Sequence, residues 1–215
     1  MKFKCYTILV HQQDEEKEGE KNMNIAVYGA ASSLINNTYK QAGVELGKKM
    51  VERGHGLVFG GGANGMMGSV AKGVYEKGGY ILGVVPQFFH EANAEISFKN
   101  CSKYIYTDSM RERKKQMEEN CDAFIISPGG IGTLDEFFEI LTLKQLGRHN
   151  KAIVLFNING FFDKLAEALY KMVKEEFITS DCAELCKVCT DINEILDYIE
   201  AYDPTDIDLS KVKIR

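Results

Sequence analysis

The segment at residues 128–136 reads PGGIGTLDE and directly follows an apolar run at residues 123–127. A strand that ends in Pro-Gly-Gly, where the glycines allow a positive φ, can turn sharply into a helix. If that helix opens at Gly132 and Thr133, its free N–H groups and its dipole favour a phosphate or a ribose oxygen. The carboxylate of Glu136 then stands beside a site that attracts anions, and its presence there needs a separate explanation.

Two explanations of Glu136 fit the same residues. Thr133 and Glu136 have the T-x-x-E spacing of a capping box, in which the glutamate accepts a hydrogen bond from the threonine amide. Alternatively, Glu136 acts on a region of the ligand that lies away from the phosphate. The spacing alone leaves both explanations open, and a basic segment upstream favours the second.

That basic segment, at residues 107–115, reads TDSMRERKK. Asp108 or Ser109 is expected to cap a helix here, because short polar side chains accept hydrogen bonds from the first turn. Four cations then crowd the first two turns, where each opposes the helix dipole by roughly a few tenths of a kcal/mol. A solvated basic face explains some of these cations but not necessarily all of them.

The helical spacing separates the four cations into two pairs. Arg111 and Lys115 are expected on the solvated face, whereas Arg113 and Lys114 turn toward the strand edge that carries PGGIGT. An arginine fork at that edge can bind a phosphate bidentately or hold a carboxylate. The segment therefore favours a functional arginine beside the glycine loop.

Two further polar or glycine-rich loops are predicted on the same sheet edge, at residues 29–33 and 60–68. The second contains G-x-G-x-x-G, but the acidic residue of a dinucleotide site should follow by about 20 positions, and the strand there ends in VVPQ. The motif also lies on the second βα turn instead of the first, so NAD binding is disfavoured. The glycines indicate close approach to a ligand and N–H groups aimed at an anion, with a tight turn against a neighbouring helix as the alternative.

Six short apolar runs, separated by segments of helical period, define the fold class. Because the runs are continuous instead of alternating, they predict strands covered on both faces. Strands that alternate with helices predict a single-domain α/β fold, a doubly wound (Rossmann-like) parallel sheet with helices on both faces, which binds ligands beyond the carboxyl ends of its strands. The runs lie at residues 25–28, 57–59, 80–85, 104–106, 124–126 and 153–156, and a last amphipathic helix is predicted at residues 191–202.

The bulk composition excludes several classes of function. The chain has 215 residues, a formal net charge of −5, and 45% hydrophobic residues, which is typical of a globular protein and disfavours nucleic-acid binding. No apolar stretch approaches the roughly 20 residues that span a bilayer, so no membrane contact is expected and a cytoplasmic protein is the simplest interpretation. The domain is expected at residues 23–203, between a tail at 204–215 and a mobile extension at 1–22, which an upstream start codon would also explain.

Six cysteines do not indicate a disulfide framework, because cytoplasmic thiols usually stay reduced. Cys182, Cys186 and Cys189 do have the C-x3-C-x2-C spacing of a radical iron–sulfur cluster. They lie near the end of the chain, which is too short for the barrel fold expected of a protein with a radical iron–sulfur cluster, and no glycine-rich segment lies nearby. Partly buried thiols are therefore favoured over a metal site.

Two of these motifs together resemble the signature of one family. M-x-x-R-K at residues 110–114 and P-G-G-x-G-T-x-x-E at residues 128–136 are similar to those of the LOG ("lonely guy") cytokinin riboside 5′-monophosphate phosphoribohydrolases, which are also labelled lysine-decarboxylase-like. The glycine loop at 60–68 and Q-L-G-x-H at 145–149 add to the resemblance, which spans residues 24–202.

The resemblance implies a hydrolase that cleaves the N-glycosidic bond of a nucleoside 5′-monophosphate, AMP or an N6-modified AMP, to free base and ribose 5-phosphate. It implies Arg113 and Glu136 as the catalytic pair, no cofactor or metal, and a homodimer with the site near the subunit interface. Glu95 as a solvated loop acid and Thr142 as a helix residue bonded to its own backbone remain alternatives. The residues expected around the substrate are Glu95, Lys114, Gly130, Ile131, Gly132, Thr133, Leu134, Asp135, Thr142, Gly60, Gly61 and Gly62.

The implied chemistry fits the charge that develops when a ribosyl–base bond breaks. Positive charge builds on the sugar, and a carboxylate beside C1′ stabilises it and orients or deprotonates the attacking water. The phosphate would sit on glycine amides one ribose away, while Arg113 holds Glu136 ionised and contacts the substrate. A non-catalytic nucleotide or molybdenum-cofactor carrier, which needs only the glycines, is the main alternative. A pyridoxal-phosphate decarboxylase is a third, although nothing marks a Schiff-base lysine.

Overall fold

All six predicted runs form strands in the computed structural model, which describes residues 22–91 and 97–205. The strands pair in parallel in the order β4-β3-β2-β1-β5-β6-β7, so the sheet is doubly wound as predicted. The order reverses between β1 and β5, and ligands of such sheets bind beyond the carboxyl ends of the strands at this switch point. The strands are β1 (Asn24–Tyr28), β2 (Gly56–Phe59), β3 (Ile81–Pro86), β4 (Lys103–Thr107), β5 (Ala123–Ile126), β6 (Ala152–Phe156) and β7 (Lys187–Cys189).

Helices cover both faces of the sheet. The helices are α1 (Asn37–Glu52), α2 (Gly65–Glu76), α3 (Gln87–Glu91), α4 (Met110–Glu119), α5 (Ile131–Gln145), α6 (Asp163–Lys174), α7 (Ser180–Ala183) and α8 (Ile192–Glu200), with a 3-10 turn at Ile158–Gly160. In β1, Ile25 and Val27 pack toward α1, α2 and α8, while Ala26 and Tyr28 pack toward α4 and α5. Burial on both sides is why the strand runs are continuously apolar.

Some expectations lie outside the described residues or differ from the structure. The extension predicted at 1–22 and the tail predicted at 204–215 fall almost wholly outside the described ranges. The last predicted helix is α8, which is shorter at both ends and is capped by the carboxylate of Asp191. The sequence does not predict β7, because a strand of three residues is too short to establish a pattern.

Membrane-spanning helices and metal sites are two features that the composition disfavours. No helix in residues 22–91 and 97–205 is long and apolar enough to cross a membrane. Within the same ranges, no group of three or more histidine, cysteine or acidic residues is arranged to hold a metal ion. Cys186 and Cys189 are free thiols there, and burial raises the pKa of Cys186 to about 11.

Lys144 is a fully buried cation that fixes the C-terminal end of α5. Its Nζ donates to the carbonyl oxygens of Lys151 at 2.9 Å and Leu185 at 3.0 Å, and lies 4.8 Å from the centre of the Tyr202 ring. Nearby, His149 bonds through Nε2 to a carbonyl oxygen of α5 at 2.8 Å, and burial lowers the pKa of this histidine to about 4. These contacts hold α5 against the loops before β6 and β7, and so set the direction in which its N-terminus reaches the switch point.

We expect Lys144 to make the stability of the fold depend on pH. Burial lowers its folded pKa to about 8, below the value of about 10.4 for an unfolded lysine. Between these pH values the unfolded chain binds more protons, so the free energy of unfolding rises as the pH rises, by at most about 3 kcal/mol. Urea unfolding at about pH 7 and about pH 10 measures the effect. The rise should be absent in Lys144→Met, and an equal rise in both proteins would contradict the assignment.

Candidate active site

A cleft of about 370 Å³ lies at the carboxyl edge of the sheet, above the switch between β1 and β5. The loop after β1, the start of α2, and helices α3, α4 and α5 all contribute to its wall. The predicted meeting of the glycine loops and the basic helix at one edge is therefore confirmed. The lining residues are Gly29, Ala30, Ala31, Ser32, Met67, Phe89, Met110, Arg113, Gly130, Gly132, Thr133, Asp135 and Glu136.

Ala30 joins the three loops at the floor of the cleft. Its N–H donates to the carbonyl oxygen of Pro128 at 3.1 Å, and its own carbonyl oxygen accepts from the amides of Met66 and Met67 at 2.8 and 3.2 Å. Gly65 makes this contact possible, because it has φ +63° and a Cβ there would lie 2.3 Å from the Ala30 oxygen. The amides of Met66 and Met67 are thus engaged within the protein and are not aimed at an anion, whereas the expectation for the glycine amides of the 60–68 loop stays a prediction.

The start of α5 presents its amides to the cleft instead. Gly130 is the N-cap and has no side chain that could accept from the first turn. The N–H groups of Ile131, Gly132 and Thr133 have no acceptor within the helix, and the helix dipole makes this end electropositive. A Cβ on Gly130 or Gly132 would meet no atom within 4 Å, so both glycines border open space. This end of α5 is shaped to receive an anion.

Two expectations about this loop are wrong. Gly130 has φ −92° and Gly129 has no positive φ either, so the loop does not use the left-handed region. Gly129 is required for space instead, because a Cβ there would lie 2.1 Å from Oγ1 of Thr133. The capping box is also wrong, since Thr133 lies within the first turn and Glu136 accepts its hydrogen bond from an arginine.

That arginine is Arg113, and the two residues form a buried ion pair in the wall of the cleft. Arg113 Nη1 donates to Glu136 Oε1 at 2.9 Å, and the residues are only 5% and 7% exposed. Arg113 Nε donates to the carbonyl oxygen of Val84 in β3 at 3.2 Å, which fixes the plane of the guanidinium. Gly60, just beyond β2, provides the space, because a Cβ there would lie 1.7 Å from Nη2.

The N-terminus of α4 is anchored so that Arg113 points inward. Ser109, one of the two predicted caps, accepts from the amide of Glu112 at 3.2 Å, and Glu112 in turn accepts from the amide of Asp108 at 3.0 Å. Arg111 and Lys115 are exposed, as predicted. The direction in which each side chain leaves the helix therefore determines which of its cations are solvated and which are buried.

Burial dominates the electrostatics of Glu136. It raises the pKa of this carboxyl above its ordinary value, although the charge and hydrogen bond of Arg113 oppose the rise. Arg113 thus limits the rise, and its expected role in keeping Glu136 ionised stays a prediction. Burial also raises the pKa of the Tyr28 phenol well above its usual range, and the charge of Glu136 adds to that rise. A carboxylate of raised pKa accepts a proton from water more readily than an ordinary glutamate does.

The other residues expected around the substrate fall into several positions. Gly130, Gly132, Thr133 and Asp135 line the cleft, whereas Ile131 is 88% exposed beside it and Leu134 packs against the core. Lys114 pairs with Asp135 and Glu139. Thr142 lies on the exposed face of α5, nearly two turns beyond Glu136. Glu95 lies outside the described residues.

Gly60, Gly61 and Gly62 are buried beneath the cleft and are not among the described residues that line it. Gly61 has φ +81° and a Cβ on it would lie 2.3 Å from a methyl of Val85, and Gly62 forms an isolated bridge with Ser97. Gly60 and Gly61 therefore each have a packing or conformational reason for being glycine. Their expected contact with substrate stays a prediction.

Sequence reasoning missed the apolar wall of the cleft. Met67, Phe89 and Met110 come from α2, α3 and α4, and all three line it. Only Met110 carried a signal, as the first residue of M-x-x-R-K. The other two cannot be found without the tertiary structure, since isolated apolar residues next to strands are usual in any α/β core.

A second cleft, of about 560 Å³, lies between α1 and α8. Two of its three charged groups are engaged: Lys49 pairs with Glu52 at 3.0 Å, and Asp191 accepts from the first amides of α8. The cleft at the switch point, with its buried ion pair and open helix end, is the better candidate for chemistry despite its smaller volume.

Fold and site together define a doubly wound α/β protein with an anion-binding helix end beside a buried acid–guanidinium pair. The family described as "Possible lysine decarboxylase" matches residues 67–199. The chain belongs to the LOG family of cytokinin riboside 5′-monophosphate phosphoribohydrolases, as its relatives in plants establish.

Two of those relatives illustrate the similarity. The chain is 37% identical over 180 residues to "Probable cytokinin riboside 5'-monophosphate phosphoribohydrolase LOGL6" of Oryza sativa subsp. japonica, covering 84% of this chain and 71% of the relative. It is 34% identical over 189 residues to "Cytokinin riboside 5'-monophosphate phosphoribohydrolase LOG2" of Arabidopsis thaliana, covering 88% of each.

Solved structures support the fold at lower identity. The molybdenum cofactor binding protein of Rippkaea orientalis superposes with a TM-score of 0.63 at 18% identity, covering 84% of this chain and 97% of that one. A Moco carrier protein of Chlamydomonas reinhardtii gives 0.61 at 22% identity, covering 84% and 96%. At these identities the likeness concerns the fold alone.

We predict that Gly60→Ala displaces Arg113 without unfolding the protein. The new methyl would overlap Nη2, which is the far end of a flexible side chain and can move. The hydrogen bond from Nε to Val84 should then break, and the Nε proton should exchange with solvent at least ~10-fold faster in NMR hydrogen-exchange experiments.

The matched control is Gly132→Ala, whose methyl meets open space. This variant should leave the Arg113 Nε proton protected as in the parent. If that proton is equally protected in Gly60→Ala and in the parent, the position of the Arg113 guanidinium does not depend on the absence of a side chain at residue 60.

Proposed function

We propose that this protein hydrolyses the N-glycosidic bond of a nucleoside 5′-monophosphate, AMP or an N6-modified AMP, to free base and ribose 5-phosphate. The observation that carries the proposal is the buried pair of Arg113 and Glu136, which opens into the same cleft as the N-terminal end of α5, whose first amides have no acceptor within the helix. The relatives named as phosphoribohydrolases support the same reaction class.

The spacing along α5 suits such a ligand. Glu136 follows Gly132 by four residues, which is about 6 Å along the helix axis, comparable with the span of a ribose. A phosphate on the amides of Ile131, Gly132 and Thr133 would therefore bring the sugar past Glu136. This geometry answers why an acid stands near an anion site, because the two groups meet different ends of one molecule.

The chemistry follows from that placement. As the bond between C1′ and the base nitrogen lengthens, positive charge builds on the ribose ring, and the Glu136 carboxylate stabilises it. Water attacks C1′ and gives a proton to Glu136, while the base leaves with the bonding electrons and takes a proton from solvent; Glu136 then returns its proton to solvent. Arg113 keeps the carboxylate in position and offsets its burial.

The base would lie against the apolar wall formed by Met67, Phe89 and Met110. Methionine side chains adapt to ligands of different shape, and the ring of Phe89 offers a surface for stacking. A purine, with or without an apolar N6 substituent, suits this end of the cleft better than a charged group does.

A carrier is less well supported than a hydrolase. A protein that only binds a nucleotide or a cofactor needs the helix end but gains nothing from burying Arg113 and Glu136, whose desolvation costs several kcal/mol per ion. For a lysine decarboxylase, the described residues lining the cleft include no lysine.

We also propose a homodimer and a cytoplasmic location. Ile131, Phe138 and Leu146 form an exposed apolar stripe along one face of α5, and a second copy of the chain could cover it. Thr142 lies on the same stripe, so any contact it makes with a nucleotide would be to the site of the other subunit. The free thiols of the described cysteines are compatible with a reducing compartment.

The decisive prediction concerns Glu136→Gln. This variant should fold and keep its affinity for AMP within about threefold, but release adenine at least ~100-fold more slowly, which corresponds to about 2.7 kcal/mol of barrier. Chromatographic detection of free adenine measures the rate, and calorimetry measures the affinity.

Glu119→Gln, an exposed glutamate on α4, is the matched control and should retain the parental rate. If the parent binds AMP without releasing adenine, the carrier is correct. If Glu136→Gln loses stability but keeps its rate, the carboxylate is structural only.

A second prediction separates the anion site from the acid. Gly132→Ala should raise the stability of the fold slightly, by up to about 1 kcal/mol, because alanine favours a helix over glycine. The methyl group would enter the space where the phosphate binds, so the affinity for AMP should fall at least ~10-fold. Thermal unfolding and calorimetry test both effects, and an equal loss of affinity for adenosine would argue against a phosphate at this helix end.

A further inference from the structure

The cleft between α1 and α8 lies beyond the carboxyl ends of β6 and β7, at the same edge of the sheet as the cleft at the switch point. Its volume of about 560 Å³ falls within the range of small-molecule sites, roughly 300 to 1,000 Å³. None of the described residues that line it also lines the cleft at the switch point. The two clefts are therefore separate, and the one between α1 and α8 has room for a small organic molecule of its own.

The loop after β6 forms a fixed wall of this cleft. The buried side chain of Asn157 accepts from the amide of Phe162 at 2.7 Å and donates to Oδ1 of Asp163 at 2.7 Å. The amide of Asn157 donates to the carbonyl oxygen of Cys189 at 2.7 Å, which ties the ends of β6 and β7 together. Asn159 is held at φ +54°, a conformation that is uncommon for a residue other than glycine. A wall fixed by these contacts costs a ligand little ordering entropy on binding.

Apolar and polar groups lie at different depths in the cleft. Phe156 and Ile158 are buried and form its floor, whereas Asn159, Thr190 and Asn193 are exposed and form its rim. An apolar floor with a few polar groups above it is typical of sites for small organic ligands.

The charged groups of the cleft favour a cation over an anion. Glu45 and Asp191 contribute carboxylates from α1 and from the start of α8, and Lys49 contributes one ammonium, so the lining carries a net charge of −1. Lys49 is also paired with Glu52, which lies outside the lining. Both amide hydrogen bonds that Asp191 accepts use Oδ1, and Glu45 forms no ion pair with a described residue. The two carboxylates therefore retain oxygens with which a bound cation can pair.

We propose that this cleft binds a small organic amine, whose apolar body packs on Phe156 and Ile158 and whose ammonium group pairs with Glu45 and Asp191. Exposed ion pairs contribute little affinity by themselves, so the apolar floor supplies most of the affinity and the two acids select the charge of the ligand. The same acids would repel a nucleotide. The site is a property of the free protein and does not depend on the proposed hydrolysis.

Phenethylamine, which is a cation at neutral pH, is the probe, and phenylacetate is its matched anion with the same ring. A chemical-shift titration of the 15N-labelled protein measures both affinities, and the amides of Asn159, Thr190 and Asn193 report on the cleft. Phenethylamine should move these amides with a Kd of about 1 mM or lower, and phenylacetate should bind at least ~10-fold more weakly.

Two variants test the role of the acids. Glu45→Gln and Asp191→Asn should each weaken the binding of phenethylamine at least ~3-fold, and asparagine should still cap α8 because it caps helices as well as aspartate does. Glu119→Gln is the matched control, because it removes the same charge from an exposed residue of α4, on the opposite face of the sheet. This control should bind phenethylamine as the parent does.

Three results would overturn the proposal. The amine and the acid could bind equally well, the three amides could stay unmoved at about 20 mM phenethylamine, or the two variants could bind the amine as the control does. Saturating AMP should change the affinity for phenethylamine by less than about twofold, and direct competition would show that the cleft belongs to the nucleotide instead. Because no turnover is measured, a failure of the proposed function would leave these outcomes unchanged.

Discussion

The ion pair between Arg113 and Glu136 is the constraint around which the switch point is built. Two charges with almost no solvent exposure cost several kcal/mol each to desolvate, and their attraction offsets this only when the remaining hydrogen bonds are made. The carbonyl oxygen of Val84 supplies one such bond, and the missing side chain of Gly60 supplies the space. An apolar pair of similar size would serve stability equally well, so the cost indicates a functional reason.

Helix α5 combines the two properties that a nucleotide hydrolase of this kind requires. Its first turn offers amides that have no acceptor within the helix and an electropositive end, and its second turn carries the acid. Because the anion-facing amides and the acid belong to one helix, the distance between a bound phosphate and the acid is set by the rise of the helix. It does not depend on how two separate secondary-structure elements are placed relative to each other. Lys144 holds the far end of the same helix through two carbonyl oxygens, so the whole element is supported from both ends.

Much of this arrangement could be predicted from the sequence, and the failures have a common physical cause. Continuous apolar runs identified six strands, and the rotation of α4 correctly separated Arg113 from the exposed Arg111. The T-x-x-E spacing of Thr133 and Glu136, in contrast, left a capping box open as one of two explanations, because sequence does not show whether a helix begins at Thr133 or two residues earlier. Local patterns establish what a segment can do, and tertiary contacts decide which of its options is used.

The glycines show the same distinction. Sequence indicated that the loop at 60–68 aims amides at an anion, but two of these amides, those of Met66 and Met67, donate to the carbonyl oxygen of Ala30. It also assigned conformational freedom to Gly129, which is glycine because Thr133 leaves no space for a Cβ. In the loop before α5, by contrast, the missing side chains of Gly130 and Gly132 face open space, and both glycines line the cleft. The direction of a missing side chain cannot be read from a sequence.

The most direct measurement is a crystal structure of the Glu136→Gln protein with AMP bound in the cleft at the switch point. The phosphate should lie on the amides of Ile131, Gly132 and Thr133, with C1′ roughly 3.5 Å from the side chain at position 136 or separated from it by a single water. A nucleotide bound in the opposite direction, with its base on the helix end and its phosphate beside Met110, would contradict this assignment of the two ends. So would a nucleotide in the cleft between α1 and α8, because the acid and the guanidinium would then have no ligand to act on.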